Sequence, residues 1–138
     1  MSVIINQLEL KNWFNYTGDY ESNVIVFSDG LNIIIGDNNA GKTKLHNAFR
    51  WILKNEVIII EGNDAIETEI KGQYLKKVMN HTTFRNAPNG EIITFGVKIK
   101  FTRIKRDERQ TYLLTKEIIC RKDVEELVPL RENKTVQF

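Results

Sequence analysis

The sequence predicts an α/β fold: a strand–loop–helix unit near the start of the chain, followed by an antiparallel β-layer. Three observations carry this. GLNIIIGDNNAGKTKLHNAF (residues 30–49) runs an apolar, β-branched strand into a glycine-bounded loop and then into a segment of helical periodicity. NGEIITFGVKIKF (residues 89–101) begins with the turn signal Asn89-Gly90. It then alternates strictly, with Ile93, Phe95, Val97, Ile99 and Phe101 on one face and Thr94, Lys98 and Lys100 on the other. The polar knot KRDER (residues 105–109) turns that strand back into residues 112–120, giving a long antiparallel hairpin.

The remaining elements follow in order. Residues 4–10 are a strand with Leu8 and Leu10 on one face and Gln7 and Glu9 on the other. NWFNYTGD (residues 12–19) is aromatic and ends in a turn signal, and VIVF (residues 24–27) is a second, short strand. LNIII (residues 31–35) is a third, apolar enough for the middle of a sheet. Residues 42–53 form a helix with Leu45, Ala48, Phe49 and Ile52 as its apolar stripe. VIII (residues 57–60) either extends that helix or forms a strand. A weaker helix covers residues 64–79, on the capping-box spacing of Asp64 and Glu67 and the shared face of Ile66, Ile70 and Val78, with Gly72 interrupting it. The polar stretch from residue 125 onward carries no capping signal, so the sequence is expected to stop inside a domain.

Composition excludes several classes. With 138 residues, 41% apolar and 28% charged, the chain is globular and long enough for one core. A net charge of +2 does not by itself indicate nucleic acid. The single cysteine, Cys120, excludes a disulfide scaffold within these residues and reads as a small core residue. The opening MSVIINQLELKNW lacks the basic and apolar regions of a signal peptide. No run approaches the roughly 18 apolar residues of a membrane span. A cytoplasmic protein is expected. His46 and His81 have no partners at metal-ligand spacing and read as a helix and a loop residue.

The loop after the third strand carries the chemistry. Gly36, Asp37, Asn38, Asn39, Ala40, Gly41, Lys42 and Thr43 satisfy the P-loop pattern G-x-x-x-x-G-K-[ST], in its required strand-before, helix-after context. Glycines at the tight points let backbone N–H groups wrap phosphates, and the helix directs its positive end at the same charge. Lys42 supplies a mobile cation to the β- and γ-phosphates, and the Thr43 hydroxyl is placed to ligate Mg²⁺. A nucleoside triphosphate with Mg²⁺ is therefore the expected ligand. Asn39 stands where glycine is common and tolerates a left-handed backbone. Asp37 must turn away from the phosphates. Lys44 either approaches the α-phosphate or is a solvated helix residue.

LELKNWFNYTG (residues 8–18), VIVF and GLNIIIGDNNAGKTKLHNAFRWIL (residues 30–53) together resemble the N-terminal lobe of SMC-like ATPase heads, the SbcC-, RecF- and DndD-type proteins of DNA repair and phage defence. The NWFNYTG variant is most similar to the DndD type. The resemblance implies a P-loop NTPase fold of the ABC/SMC-like head class, with residues 1–138 as the N-terminal half of a head. It also implies ATP and Mg²⁺ at Gly36 to Thr43, and a K-N-F element at Lys11, Asn12 and Trp13. The basic residue that often follows this element is replaced by Phe14. Trp13, Phe14 and Tyr16 then read as core and edge aromatics. Hydrolysis in such heads needs an apolar strand ending in Asp-Glu and a Ser-Gly-Gly signature loop given by a second head. Neither occurs here: in VIIIEG, Gly62 follows Glu61 where the second acid belongs. Gln137 is a candidate Mg²⁺-sensing glutamine. The implied partners are the C-terminal lobe, a second head in trans, and DNA.

Two other nucleotide readings fit less well. Asn133-Lys134-Thr135-Val136 fails as a guanine-reading motif, and no lid arginines of a small kinase follow the loop. A different class is a non-catalytic nucleic-acid-binding or regulatory module. Lys98, Lys100, Arg103, Lys105, Arg106 and Arg109 cluster on and around the hairpin, where they suit phosphate attraction or simply form a solvated face.

Overall fold

A computed structural model describes residues 2–27 and 40–138. The expected strand at residues 31–35 lies outside the described residues. The framework is a five-stranded antiparallel sheet in the order β2-β1-β5-β6-β7, formed by β1 (Ser2–Lys11), β2 (Val24–Val26), β5 (Ile92–Lys105), β6 (Glu108–Asp123) and β7 (Glu126–Gln137). Helix α1 (Ala40–Lys54) covers one face, joined by the hairpin β3 (Val57–Glu61) and β4 (Asp64–Thr68) and by the short helices α2 (Tyr74–Val78) and α3 (His81–Asn86). This is an α/β chain with an antiparallel sheet.

The strict alternation of β5 sets the two faces. Phe95, Val97 and Ile99 are buried, and β1 aligns Leu10 with Val97 and Leu8 with Ile99. Against this face α1 places Ala48, Trp51 and Ile52. The helix is rotated slightly from its expected stripe: Trp51 and Asn47 are fully buried, while Leu45 and Phe49 are half-buried flanks. The large indole, which periodicity alone does not single out, takes the central position because it stacks on Trp13 at 5.3 Å and meets Phe95 at 5.9 Å.

The other face is polar. Tyr20, in a 3-10 turn, lies over it with Lys98 Nζ 4.3 Å from its ring and its hydroxyl donating to Glu117 at 2.7 Å. Burial, reinforced by Glu117, raises its phenol pKa. Gly96 lies beneath this turn because any Cβ there would strike the Tyr20 hydroxyl and the Lys116 carbonyl.

Two expectations are corrected. Residues 64–79 are not one helix: residues 64–68 are β4, and only residues 74–78 are helical. The β-branched run 57–60 takes the strand option, and its ladder needs a partner. Ile66 pairs with Ile59 and Asp64 with Glu61, and Gly72 at φ +57 breaks the chain before α2. The polar segment from residue 125 is a third long strand, β7. It has the composition of a sheet edge and carries Pro129 at a register shift, where proline's missing N–H is tolerated. His81, expected in a loop, is the first residue of α3.

Several buried polar groups are paired across elements, whereas Arg50 Nε is buried without a hydrogen-bond partner among the described residues. Asn47, 1% exposed, donates to the Ile58 carbonyl and accepts from the Ile58 N–H, both at 2.8 Å. Lys116, 3% exposed, comes from the core face of β6 to the last turn of α1 and donates to the Trp51 carbonyl and Asn55 Oδ1. A cation at a helix C-terminus meets both the orphan carbonyls and the negative end of the dipole. Glu132, 3.5 Å away, balances its charge, while burial pulls the lysine pKa down. Cys120 is buried, and burial pushes its thiol to about 11.

Asn47→Ala removes both bonds to Ile58 and leaves a buried N–H and carbonyl unpaired, so it should cost about 2–4 kcal/mol in urea unfolding. A loss below about 0.5 kcal/mol would contradict the bridging role.

Candidate functional site

The candidate site is built around the first turn of α1. Gly36, Asp37, Asn38 and Asn39 lie outside the described residues. Ala40, Gly41, Lys42 and Thr43 open the helix. Lys44, the next residue, is partly exposed, and its carbonyl accepts a 3.0 Å hydrogen bond from Trp13 Nε1. That bond fixes the helix start to the loop that leaves β1.

The loop of residues 12–18 is tightly wound. Asn12 (φ 45), Phe14 (φ 50) and Gly18 (φ 95) all occupy the left-handed region. Asparagine tolerates this and glycine prefers it, but for phenylalanine it is strained by about 1–3 kcal/mol. The strain is held by two bonds: Phe14 N–H donates to the Val78 carbonyl at 2.7 Å, and Asn80 Nδ2 donates to the Phe14 carbonyl at 2.8 Å. Asn12 is the hub. Its amide donates to the Thr94 carbonyl, and its oxygen accepts from Gly18 N–H and Thr83 Oγ1. Asn80 caps α3 by accepting from Thr83 N–H at 3.0 Å. Two buried asparagines thus clamp β1, β5 and the α2–α3 pair together beside α1.

Between the loop, α1 and α2–α3 lies an open cavity of about 420 Å³. Phe14 and Met79 are its large apolar residues, Lys44, Lys76, Lys77 and His81 are among the others that line it, and no acidic residue does. Lys77 also lies 3.9 Å from Glu61, so the VIIIE strand contributes an ion-pair partner for this lysine. The arrangement suits an anionic ligand. Sequence reasoning did not identify Lys76, Lys77 or His81. A Lys-Lys pair in a short polar helix carries no signal until the fold turns it towards Lys44.

The other sequence candidates are placed as follows. Trp13 is wholly buried and Phe14 and Tyr16 pack against the core, as core aromatics do. The six hairpin cations divide. Arg103, Lys105 and Arg109 line a cavity of about 560 Å³ at the β5–β6 tip, and Arg106 occupies the turn with φ 50. Lys98 is engaged by Tyr20, and Lys100 lines a separate cavity with Gln7 and Glu9. Gln137 pairs with Leu113 on β7 and faces that same cavity, on the side of the sheet away from α1. The structure does not bring it together with the helix that bears Thr43. His46 is exposed on α1. Among the described residues, no group of His, Cys, Asp or Glu could by itself hold a metal, and no helix is long and apolar enough to cross a membrane.

The chain was compared with known proteins. A family model described as an AAA domain matches residues 7–137. The DNA replication and repair protein RecF of Tropheryma whipplei (strain TW08/27) is 37% identical over 78 residues, which cover 51% of this chain and 20% of that protein. The chain thus spans about a fifth of the length of the curated relative it matches. No solved structure matches. The resemblance to the N-terminal region of SMC-like ATPases is borne out by these two matches.

Trp13→Phe keeps an aromatic ring against Trp51 but removes the donor to Lys44, and should cost about 2 kcal/mol. Amide exchange at the first turn of α1 should accelerate by more than at β6. Equal acceleration everywhere would indicate general loosening in place of a lost anchor.

Proposed function

Since the chain belongs to the AAA domain family, we propose that it is the ATP-binding N-terminal lobe of an SMC-like ATPase head that works on DNA. The observation that carries this is the P-loop sequence Gly36 to Thr43 running into α1, with a carboxylate-free cationic cavity beside Lys44. The residues fit the ligand. Backbone N–H groups of the loop would cradle the phosphates, Lys42 would neutralise their charge, and Thr43 would hold Mg²⁺. Bound ATP would supply a phosphoanhydride whose cleavage can drive a change of head geometry.

The chain's own residues stop short of hydrolysis. Among the described residues no strand ends in paired acids, and Glu61, the nearest approach, lies on the β3–β4 hairpin paired with Asp64. In this reading the acidic strand and signature loop come from a C-terminal lobe and from a second head, and turnover requires both. Residues 1–138 are then half of a head, in a protein of DNA repair, DNA processing or phage defence.

A second reading has its own observation. Arg103, Lys105 and Arg109 share a cavity at an exposed hairpin tip with one carboxylate, Glu108, leaving a net positive lining suited to a phosphodiester backbone. This favours DNA contact at the hairpin, either as part of the head's work or as the role of a non-catalytic module.

Calorimetry with MgATP on the wild type and Lys42→Ala should show binding that the substitution abolishes, with negligible turnover in the same samples. Equal heats for both proteins would remove the P-loop reading, and robust turnover would remove the half-head reading.

A further inference from the structure

We propose that the β5–β6 tip takes single-stranded DNA, with phosphates held by Lys105 and Arg109 and a base stacked on an aromatic row that crosses the sheet beside them. This rests on the reading above that the hairpin contacts DNA, and it names the form of DNA. The row is made by three strands. Phe101 of β5 lies opposite Tyr112 of β6, with the rings stacked at 5.1 Å and 17° between their planes. Phe138, the residue after β7, meets Tyr112 edge-on at 5.0 Å. The pairing of Gln137 with Leu113 brings it there.

The row and the cations form one surface. Tyr112 lines the cationic cavity of the tip and also the neighbouring cavity of about 530 Å³ that contains Phe138 and Lys100, so it joins the two. Its hydroxyl donates to Gln110 Oε1 at 2.7 Å, which ties it to the tip. Residues 103–110 carry four cations against two carboxylates. Among the described residues, neither Lys105 nor Arg109 forms an ion pair, so their charge is open to phosphate. Phe138 is 85% exposed. A duplex keeps its base faces stacked inside and would offer this ring nothing. A single strand presents an unstacked base together with its phosphates, and both halves of the surface are then used.

The test is fluorescence anisotropy on the full chain, without nucleotide, using a labelled oligothymidylate and a duplex of equal length. The wild type should bind the single strand about tenfold more tightly than the duplex. Phe138→Ala should lose about that factor on the single strand with its salt dependence unchanged, and Phe138→Trp should retain the affinity. Lys105→Gln/Arg109→Gln should weaken both probes and flatten the salt dependence. All three positions are exposed, and an unchanged unfolding midpoint shows that the fold is intact. Equal affinity for the two probes, or wild-type affinity in Phe138→Ala, with binding weakened in the glutamine pair, would overturn this inference and leave the hairpin reading standing. Wild-type binding in the glutamine pair, or no binding of either probe at low salt, would overturn the hairpin reading and this inference with it.

Discussion

The arrangement depends on one buried indole. Trp13 leaves the end of β1, stacks on Trp51 of α1, meets Phe95 of β5, and gives its N–H to the carbonyl of Lys44. One side chain therefore sets the distance between sheet and helix and the height at which the helix begins. A tryptophan suits this because its ring fills the layer while its single N–H donor is itself satisfied by the Lys44 carbonyl. Everything proposed for the site inherits its position from that contact. The P-loop sequence ends where Lys44 begins, and the loop of residues 12–18 and the α2–α3 pair are built outward from Trp13 and its neighbour Asn12.

The second constraint is polar. A small α/β unit packed from one sheet face leaves helix ends and loop backbone in the interior, and each buried group must be paired. Here long-range side chains do this for most of the loop and helix-end groups. Asn12 and Asn80 serve the loop and the α3 cap, Asn47 serves β3, and Lys116 serves the C-terminal turn of α1. Lys134 reaches the Ile52 carbonyl from β7 at 3.4 Å, so both distal strands of the meander touch the end of the helix opposite the candidate site. The meander is thus the anchor for α1 as well as a β-layer, which explains why a polar edge strand such as β7 belongs to the fold.

Much of this was legible in the sequence. The alternation of residues 93–101 placed β5 and its buried face correctly, and the turn chemistry of residues 105–109 gave the hairpin. There Arg106 and Asp107 adopt the positive φ of a two-residue turn. Leu8 and Leu10 fixed the face of β1. What failed did so where local pattern and tertiary demand disagree. Asp64 and Glu67 have helix-start spacing, but the β-branched run 57–60 required a strand partner and took residues 64–68. β7 shows no alternation because an edge strand buries little, and Leu127 is its only buried apolar side chain among those described. The motif was readable because the P-loop pattern is local. The lysines of α2 were not, since only the folding of residues 74–83 against residues 12–18 brings them to Lys44. Asn12, Asn47 and Asn80 were likewise invisible as hubs, because an asparagine's partners are chosen by the fold.

The most direct test of the central claim is backbone hydrogen exchange with and without MgATP. If the Trp13-anchored start of α1 is the nucleotide site, ATP should protect residues 12–18, 40–46 and 74–83 and leave the β5–β6 tip at residues 103–110 unchanged. Protection confined to the tip, or no change at the start of α1 at saturating MgATP, would contradict it.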